Sequence, residues 1–170
     1  MTAGKAVLNR PRAHTSFMDR FMLTKKAKYG LKAMVHLARL PRGASAFVAD
    51  IAVRNGIPKK FLDAILGELR NAGMLTSKKG KAGGYMLAGP PEGIAVGSIL
   101  RVLDGPLAPI ACASRSAFSP CQDCDDLQRC EVRLVMLDVR EAIASVLDTR
   151  TLAEMRDLGS DDISSFVYEI

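Results

Sequence analysis

The sequence has no tryptophan, only two histidines, and no cysteine outside residues 112–130. Neither His14 nor His36 stands beside an acid/base pair, and the chain contains no HExxH motif, nucleophile elbow or complete phosphate-binding loop. We therefore predict no catalytic residue, no small-molecule substrate and no enzymatic function.

Long apolar runs are also missing. No stretch approaches the roughly 20 residues that cross a bilayer, and no apolar segment near the start is followed by a cleavage site of small residues. The sequence thus predicts a cytoplasmic protein without a membrane partner. Because cytoplasmic thiols are kept reduced, the clustered cysteines favour a metal site or redox chemistry over structural disulfides.

Lysine is absent after Lys81, which marks a division of charge in a chain whose net charge is +6. Residues 1–89 contain 17 Lys and Arg against 4 Asp and Glu, whereas residues 90–170 contain 7 against 14. Such charge can serve solubility alone, but basic charge confined to one half is typical of nucleic-acid binding. Double-stranded DNA is the predicted partner, ahead of a membrane surface, because no basic amphipathic anchor helix stands out.

The start of the chain lacks any apolar periodicity. Residues 1–21 are predicted to form a flexible basic arm, or else an extension upstream of a start at Met22. Thr24 can then cap a helix that runs to about Leu40 with one apolar stripe.

The stretch FVADIAVRNGIPKKFLDAILGELRNAG, residues 47–73, has the pattern of a helix-turn-helix. Gly56 permits the turn by adopting positive φ, and Pro58 suits the first turn of the second helix. Leu62 fixes the second helix on the first. The alternative is an ordinary helical hairpin with solvated lysines. In the helix-turn-helix interpretation the candidate DNA contacts of the second helix are Lys59, Lys60, Phe61 and Asp63.

A short β-hairpin with a basic tip follows directly. Residues 74–76 and 85–87 read as two strands around a glycine-rich loop. A hairpin in this position is a wing, and lysines at its tip would meet phosphates or a minor groove. The loop is not that of an NTPase, since it lacks a glycine at 75 and a Ser or Thr at 82. The candidate DNA contacts of the wing are Lys78, Lys79 and Lys81.

A long helix is predicted over residues 131–148, after a short helix at residues 98–103. It has a broad apolar stripe and a second apolar side at Leu134 and Leu137. One face can cover its own domain while the other meets a second subunit, so we predict a homodimer. The alternative is a helix wholly buried in one monomer. The stripe comprises Val132, Val135, Met136, Val139, Ala142, Ile143, Val146 and Leu147.

The four cysteines lie between the basic half and this long helix. Thiolates are suitable ligands for iron–sulfur clusters and zinc. Cys121 and Cys124 have zinc-knuckle spacing, although a zinc ribbon would repeat that pair and Cys112 and Cys130 are single. Redox thiols that pair on oxidation are a third alternative. Spacing alone does not separate these three.

Four stretches together resemble the Rrf-two family of bacterial winged-helix regulators. They are LTKKAKYGLKAMVHLA, IAVRNGIPKKFLDAIL, LRNAGMLTSKKGKAGGYMLA and ILRVLDGP, in family order and with family spacing, in a resemblance that runs from Leu23 to about Met155. The resemblance implies a homodimeric transcription factor with a long dimerisation helix, often with a cluster held by three cysteines before it. It moves an iron–sulfur cluster ahead of zinc, with [2Fe-2S] favoured over [4Fe-4S].

The resemblance assigns the DNA-reading positions to residues 58–72, near Lys60, Phe61 and Asp63. One branch of the family has Glu where this chain has Asp63, and Arg on the wing where it has Lys79. Asp is shorter than Glu, and Lys lacks the planar fork with which Arg contacts guanine or a narrow groove. Both changes therefore alter a contact with DNA. The operator sequence of that branch is therefore not transferable.

The resemblance also assigns cluster ligands, which match Cys112, Cys124 and Cys130. The fourth ligands known in the family are replaced here, a His by Arg133 and an Asp by Lys28. We therefore expect Cys121 to complete a four-thiolate site.

Together these inferences predict a mainly α fold with a small β-hairpin wing (α+β). The function implied is a transcriptional regulator, expected to repress from a palindromic operator, that senses iron, nitric oxide or redox state through the cluster. A structural zinc site or a cluster-free thiol redox switch is the alternative. The predicted parts are an arm (1–21), a winged helix-turn-helix domain (22–105), a cysteine-rich cofactor loop (106–130), a dimerisation helix (131–150) and a C-terminal tail (151–170).

Overall fold

The computed structural model describes residues 23–80, 83–124 and 126–159. Within them, six α-helices accompany one antiparallel hairpin, which confirms the predicted α+β fold. The predicted arm, residues 1–21, lies outside the described residues. In chain order the elements are α1 (Lys25–Ala38), α2 (Val48–Asn55), α3 (Lys59–Asn71), β1 (Leu75–Lys78), β2 (Gly84–Leu87), α4 (Val96–Asp104), α5 (Glu131–Thr149) and α6 (Leu152–Asp157).

The first helix begins at the predicted cap and lies close against α4. The Thr24 hydroxyl accepts a hydrogen bond from the Ala27 amide at 3.2 Å, and the Thr24 amide donates to the Asp104 carboxylate at 3.0 Å. Gly30 sets the distance between the two helices, because a Cβ there would lie 2.2 Å from a methyl carbon of Leu103. The start of α1 is thereby tied to the end of α4.

A single apolar core joins α1, α2, α3, α4, β1 and α6. Burying each large aliphatic side chain contributes about 1.5–3 kcal/mol, so this core is the main source of stability. Its most completely buried large side chains are Met34, Ile51, Leu62, Ile65, Leu66, Leu69, Leu75, Ile99 and Leu152.

The wing is a two-stranded hairpin whose strands differ slightly from the prediction. Leu75 pairs with Leu87, and Lys78 pairs with Gly84, so β1 extends two residues beyond the predicted end at residue 76. Lys78 therefore stands at the end of a strand and not in the loop.

The prediction that residues 151–170 form a C-terminal tail is wrong for residues 152–157. Residues 152–157 form α6, in which Leu152 and Ala153 are buried against the winged-helix core. The physical reason is a capping box, in which Thr151 accepts from the Glu154 amide while the Glu154 carboxylate accepts from the Thr151 amide. That Thr-x-x-Glu signal was present in the sequence.

The long helix α5 is less buried than the helices that form the core. All of its residues are described, and none of them is fully buried. Two backbone hydrogen bonds join the connection between α5 and α6 to the start of α4. The Val96 amide donates to the Arg150 carbonyl (2.9 Å), and the Leu152 amide donates to the Ile94 carbonyl (2.8 Å). Among the described residues, no helix is both long and apolar enough to cross a membrane.

We predict that Leu152→Ala lowers the free energy of unfolding by about 2–5 kcal/mol, because it leaves a cavity in the shared core. Leu158→Ala serves as the control, since Leu158 is 54% exposed whereas Leu152 is 0% exposed. Urea denaturation measures both. Equal, small effects in the two variants would show that α6 does not belong to the folding unit.

Candidate DNA-binding face and cysteine site

The turn between α2 and α3 has the geometry expected of a helix-turn-helix. Gly56 ends α2 in the left-handed region, at φ 62° and ψ 41°. The Ile57 amide donates to the Ala52 carbonyl at 2.9 Å, and Ile57 is buried. Pro58 precedes the first residue of α3. The two helices are therefore fixed by local backbone bonds and by one buried side chain.

The first turns of α3 present the predicted contacts on the surface. Lys59, Lys60, Phe61 and Asp63 are all exposed, while the opposite side of α3 is buried. The Lys59 ammonium lies 3.4 Å from the Asp63 carboxylate, so these two charges are paired in the free protein. Phe61 packs edge-on against Tyr29 of α1, with ring centroids 5.8 Å apart. Asp63 is thus positioned by Lys59, and Phe61 by α1.

The wing is anchored beside α2 by the backbone. Ala46 and Tyr85 exchange two backbone hydrogen bonds, each of 2.9 Å. Gly84, at φ 121°, allows this approach, because a Cβ there would lie 2.2 Å from the Ala46 carbonyl oxygen. Lys78 and Lys79 are exposed on the wing. Lys81 lies outside the described residues.

A row of lysines on α1 was not among the sequence-based candidates. Lys25, Lys28 and Lys32 are exposed. The Lys32 ammonium donates to the Asn55 carbonyl at 2.6 Å, which places it at the helix-turn-helix. The Tyr29–Phe61 contact places the same helix beside α3. The recurrence of lysine along α1 was visible in the sequence, but only the tertiary contacts bring it to α3.

His36 packs against α2. It is half-buried, and its Nδ1 lies 3.3 Å from the side-chain nitrogen of Asn55. Burial lowers its pKa, and Arg54 and Arg39 lower it further. It lies on α1, among the residues of the helix-turn-helix and not among the cysteines.

The structure brings all four cysteines into one connected set. Cys112 lies in a 3-10 turn, Ala111–Ala113, and is only 2% exposed. The neighbouring Cys121 thiol raises the pKa of Cys112. The sulfur of Cys121, that of Cys124 and a carboxylate oxygen of Asp123 lie within 4.8 Å of one another. The sulfurs of Cys124 and Cys130 are 3.9 Å apart.

The surroundings of Cys112 and Cys124 favour the protonated form of these two thiols. Burial raises the pKa of Cys112, and the hydrogen bond to Cys121 raises it further, while the charge of Arg133 acts in the opposite direction. Hydrogen bonding to Cys121 and burial raise the pKa of Cys124 to about 12. All four cysteines are free thiols. Four neighbouring sulfurs form a donor set that suits a soft metal or an iron–sulfur cluster.

Asp123 was not counted among the predicted ligands, although the structure groups it with two of them. Its carboxylate, two residues after Cys121 and one before Cys124, is visible in the sequence. The neighbouring residue Asp125 lies outside the described residues.

The cysteine site adjoins the start of α5. Cys130 immediately precedes the first helical residue, Glu131, so its thiol lies near the positive end of the helix dipole. Arg133 is not placed as a ligand, because its guanidinium donates hydrogen bonds to the Cys112 carbonyl (2.9 Å) and the Leu127 carbonyl (3.3 Å).

Comparisons with known proteins agree with this architecture. The family model described as Rrf2, an iron-dependent transcriptional regulator, matches residues 23–157. An rrf2-like HTH-type transcriptional regulator of Rhodobacter capsulatus is 41% identical over 142 residues, covering 82% of this chain and 95% of the relative.

Two solved structures share the fold. CymR, the global cysteine regulator of B. subtilis, superposes with a TM-score of 0.66 at 30% identity, over 80% of this chain and 96% of that one. T. potens IscR has a TM-score of 0.63 at 31% identity, over 86% of this chain and 93% of that one. These named proteins are transcriptional regulators and not enzymes. The chain therefore belongs to the Rrf2 family of DNA-binding transcriptional regulators.

Proposed function

We propose that this regulator is a homodimeric repressor whose affinity for a palindromic operator is controlled by an iron–sulfur cluster, [2Fe-2S] in preference to [4Fe-4S]. The ligands are Cys112, Cys121, Cys124 and Cys130. The observation that carries the proposal is the gathering of four free thiols at the start of α5. As a regulator of the bacterial chromosome, the protein acts in the cytoplasm.

The DNA-binding role of the surface rests on charge and geometry together. Lys60 and Phe61 stand on the exposed side of α3, where a recognition helix enters the major groove. Lys79, with Lys78 and Lys81, would meet phosphates beside it. The exposed lysines of α1 extend the same positive surface. Asp63, held by Lys59, is the candidate for accepting a hydrogen bond from a base edge.

We predict that Lys28→Ala and Lys79→Ala each weaken DNA binding and each reduce the slope of log affinity against log salt concentration by about one, because one phosphate contact is lost. Fluorescence anisotropy over a range of salt concentrations, on a duplex selected by the protein from a random pool, measures this. Arg42→Ala is the control, since Arg42 is equally cationic but lies beyond the far end of α1.

Asp63→Asn is expected to behave differently, changing which bases are selected while leaving the salt slope close to that of the wild type. A salt slope that stays at the wild-type value in both lysine variants would show that neither α1 nor the wing contacts phosphates.

The dimer interface is assigned to the outer face of α5. The predicted stripe divides in the structure. Ile143 and Leu147 face their own domain, where they line a cavity of about 540 Å³ together with Leu100 of α4. Val139 and Val146 point outward and are 37% and 62% exposed. Val132 and Val135 are also exposed, and this row has the spacing of a helix–helix seam.

We predict that Val139→Asp yields a folded monomer, because a buried unpaired charge in the seam costs several kcal/mol. Sedimentation velocity should show the loss of dimer, and operator binding should be lost with it. Ser145→Asp introduces the same charge on an exposed polar position of α5 and should stay dimeric. A Val139→Asp protein that remains a dimer would place the interface elsewhere.

The chemistry of the site follows from its donors. When bound, an iron–sulfur cluster supplies one-electron redox chemistry and reactivity toward oxidants and nitric oxide. The chain supplies four thiolates, of which Cys112 is shielded from water and the other three are partly exposed. This partial exposure gives a small signal molecule access to the site.

The position of the site explains how it can control DNA binding. At its other end α5 is fastened to the winged-helix core, where Arg101 and Asp148 form a bidentate ion pair with N···O distances of 2.5 and 2.8 Å. If the outer face of α5 is the dimer seam, a change in the cysteine loop alters how the two cores are held relative to each other. Two arrangements with different operator affinity suffice for regulation.

We predict that Cys121→Ser loses iron and sulfide, as do the corresponding variants of Cys112, Cys124 and Cys130. Elemental analysis and the visible absorption spectrum after anaerobic purification measure this. Asp123→Ala is the matched control, since it removes the neighbouring carboxylate but no sulfur, and it should keep its iron. Retention of iron by Cys121→Ser with loss by Asp123→Ala would instead indicate a mixed sulfur and oxygen site.

Two other functions of the site are favoured by specific observations. The Cys121–Cys124 spacing suits zinc, which would make the site structural and the protein colourless. The 3.9 Å between the sulfurs of Cys124 and Cys130 suits a cluster-free switch in which these thiols pair on oxidation. Zinc content identifies the first, and a disulfide between Cys124 and Cys130 in iron-free protein identifies the second.

A further inference from the structure

One side chain connects the two separate parts of the cysteine loop with α5. Arg133, on the first turn of α5, donates from Nε to the Cys112 carbonyl at 2.9 Å and from Nη1 to the Leu127 carbonyl at 3.3 Å. Cys112 belongs to the 3-10 turn at the start of the loop, whereas Leu127 lies between Cys124 and Cys130. The guanidinium therefore holds the first cysteine and the segment carrying the last ones against the same helix.

A second arginine holds the same 3-10 turn. Arg140, seven residues after Arg133, donates from Nη1 to the Ala113 carbonyl at 2.6 Å. Because seven residues are almost two helical turns, both arginines project from one side of α5. Arg133 alone reaches the second part of the loop. Both arginines are half-buried, which strengthens charge-assisted hydrogen bonds relative to those at a fully exposed site.

We propose that Arg133 is a positioning residue of the cysteine site, a cation that is not a ligand but that clamps both parts of the cysteine loop onto the first turn of α5. A guanidinium has five N–H donors and no lone pair to offer a metal. Its planar fork offers donors to two carbonyls in a fixed geometry, whereas the ammonium group of lysine is a compact charge without that fixed geometry. The loop and the helix then move together.

The clamp has two measurable consequences. Without it, the turn containing Cys112 should open more often in the empty protein. With a cluster bound, as the proposed function requires, a fixed positive charge beside the thiolates favours the reduced form, which carries one more negative charge. Loss of that charge should lower the midpoint potential.

Hydrogen exchange tests the first consequence in cluster-free, reduced, full-length protein. The Ala113 and Ser114 amides are bonded to the carbonyls of Ile110 and Ala111 within the turn, both at 3.1 Å. We expect Arg133→Met to speed their exchange at least about tenfold, since two hydrogen bonds from a charged donor are lost. Arg133→Lys, with one reachable donor, should show a smaller increase.

Redox titration of the cluster-loaded proteins tests the second consequence. Arg133→Met should have a lower midpoint potential than the wild type, and Arg133→Lys should restore it, because lysine returns the charge without the fork. Arg129→Met is the control for both measurements. Arg129 lies in the same loop, carries the same charge, and makes no hydrogen bond to another residue that the structure describes.

The outcomes separate this proposal from the proposed function. Exchange at Ala113 and Ser114 that is unchanged in Arg133→Met, or an unchanged midpoint potential, overturns the clamp. If the wild type binds neither iron nor sulfide but Arg133→Met still opens the turn, the clamp stands and the cluster assignment fails. Exchange that rises equally in Arg129→Met would assign the effect to net charge and overturn the clamp.

Discussion

The fastening of α5 at both ends is the constraint on which the rest of the structure depends. This helix has no fully buried residue, so the contacts at its two ends add to the packing of Leu147 in fixing its position. At its C-terminal end, the Arg101–Asp148 ion pair and the backbone bonds of Arg150 and Leu152 join it to the core. At its N-terminal end, Arg133 and Arg140 join it to the cysteine loop. A change in the cysteine loop therefore acts on the N-terminal end of α5, whose C-terminal end is joined to the winged-helix core.

The uneven distribution of charge follows from the same organisation. The basic half supplies the exposed lysines of α1, α3 and the wing, where a phosphate backbone would lie. In the second half some of the described arginines hold parts of the fold together: Arg101 pairs with Asp148, and Arg140 binds the Ala113 carbonyl. Their guanidinium groups present donors in a fixed planar fork, which the ammonium group of lysine does not. After residue 81, where lysine is absent, part of the cationic charge thus has a structural role.

Features set by local signals could be predicted from the sequence. Thr24 caps α1, Gly56 makes the turn and Pro58 precedes α3, because each requirement is met by residues within a few positions. The helix α6 was missed although Thr151 and Glu154 form a capping box, since a six-residue helix is stable only when its apolar face meets a core made elsewhere.

Features set by tertiary contacts could not be predicted. The α5 stripe was too broad to show which side faces its own domain, and only the position of α4 assigns Ile143 to the inside. The connection of Cys112 to the other thiols depends on the fold of the loop, and the arginine bonds beneath it join residues up to 27 positions apart. The lysines of α1 become part of the candidate DNA surface through tertiary contacts, namely the Tyr29–Phe61 ring contact and the bond from Lys32 to the Asn55 carbonyl.

The central claim is that the contents of the cysteine site change the affinity for DNA. The most direct measurement is the affinity of one preparation for one selected operator, at fixed salt, before and after anaerobic removal of iron and sulfide. The account predicts a difference of at least about fivefold, the lower end of common allosteric coupling, with the protein dimeric in both states. Equal affinity of the loaded and emptied dimers would contradict it and would make the site structural.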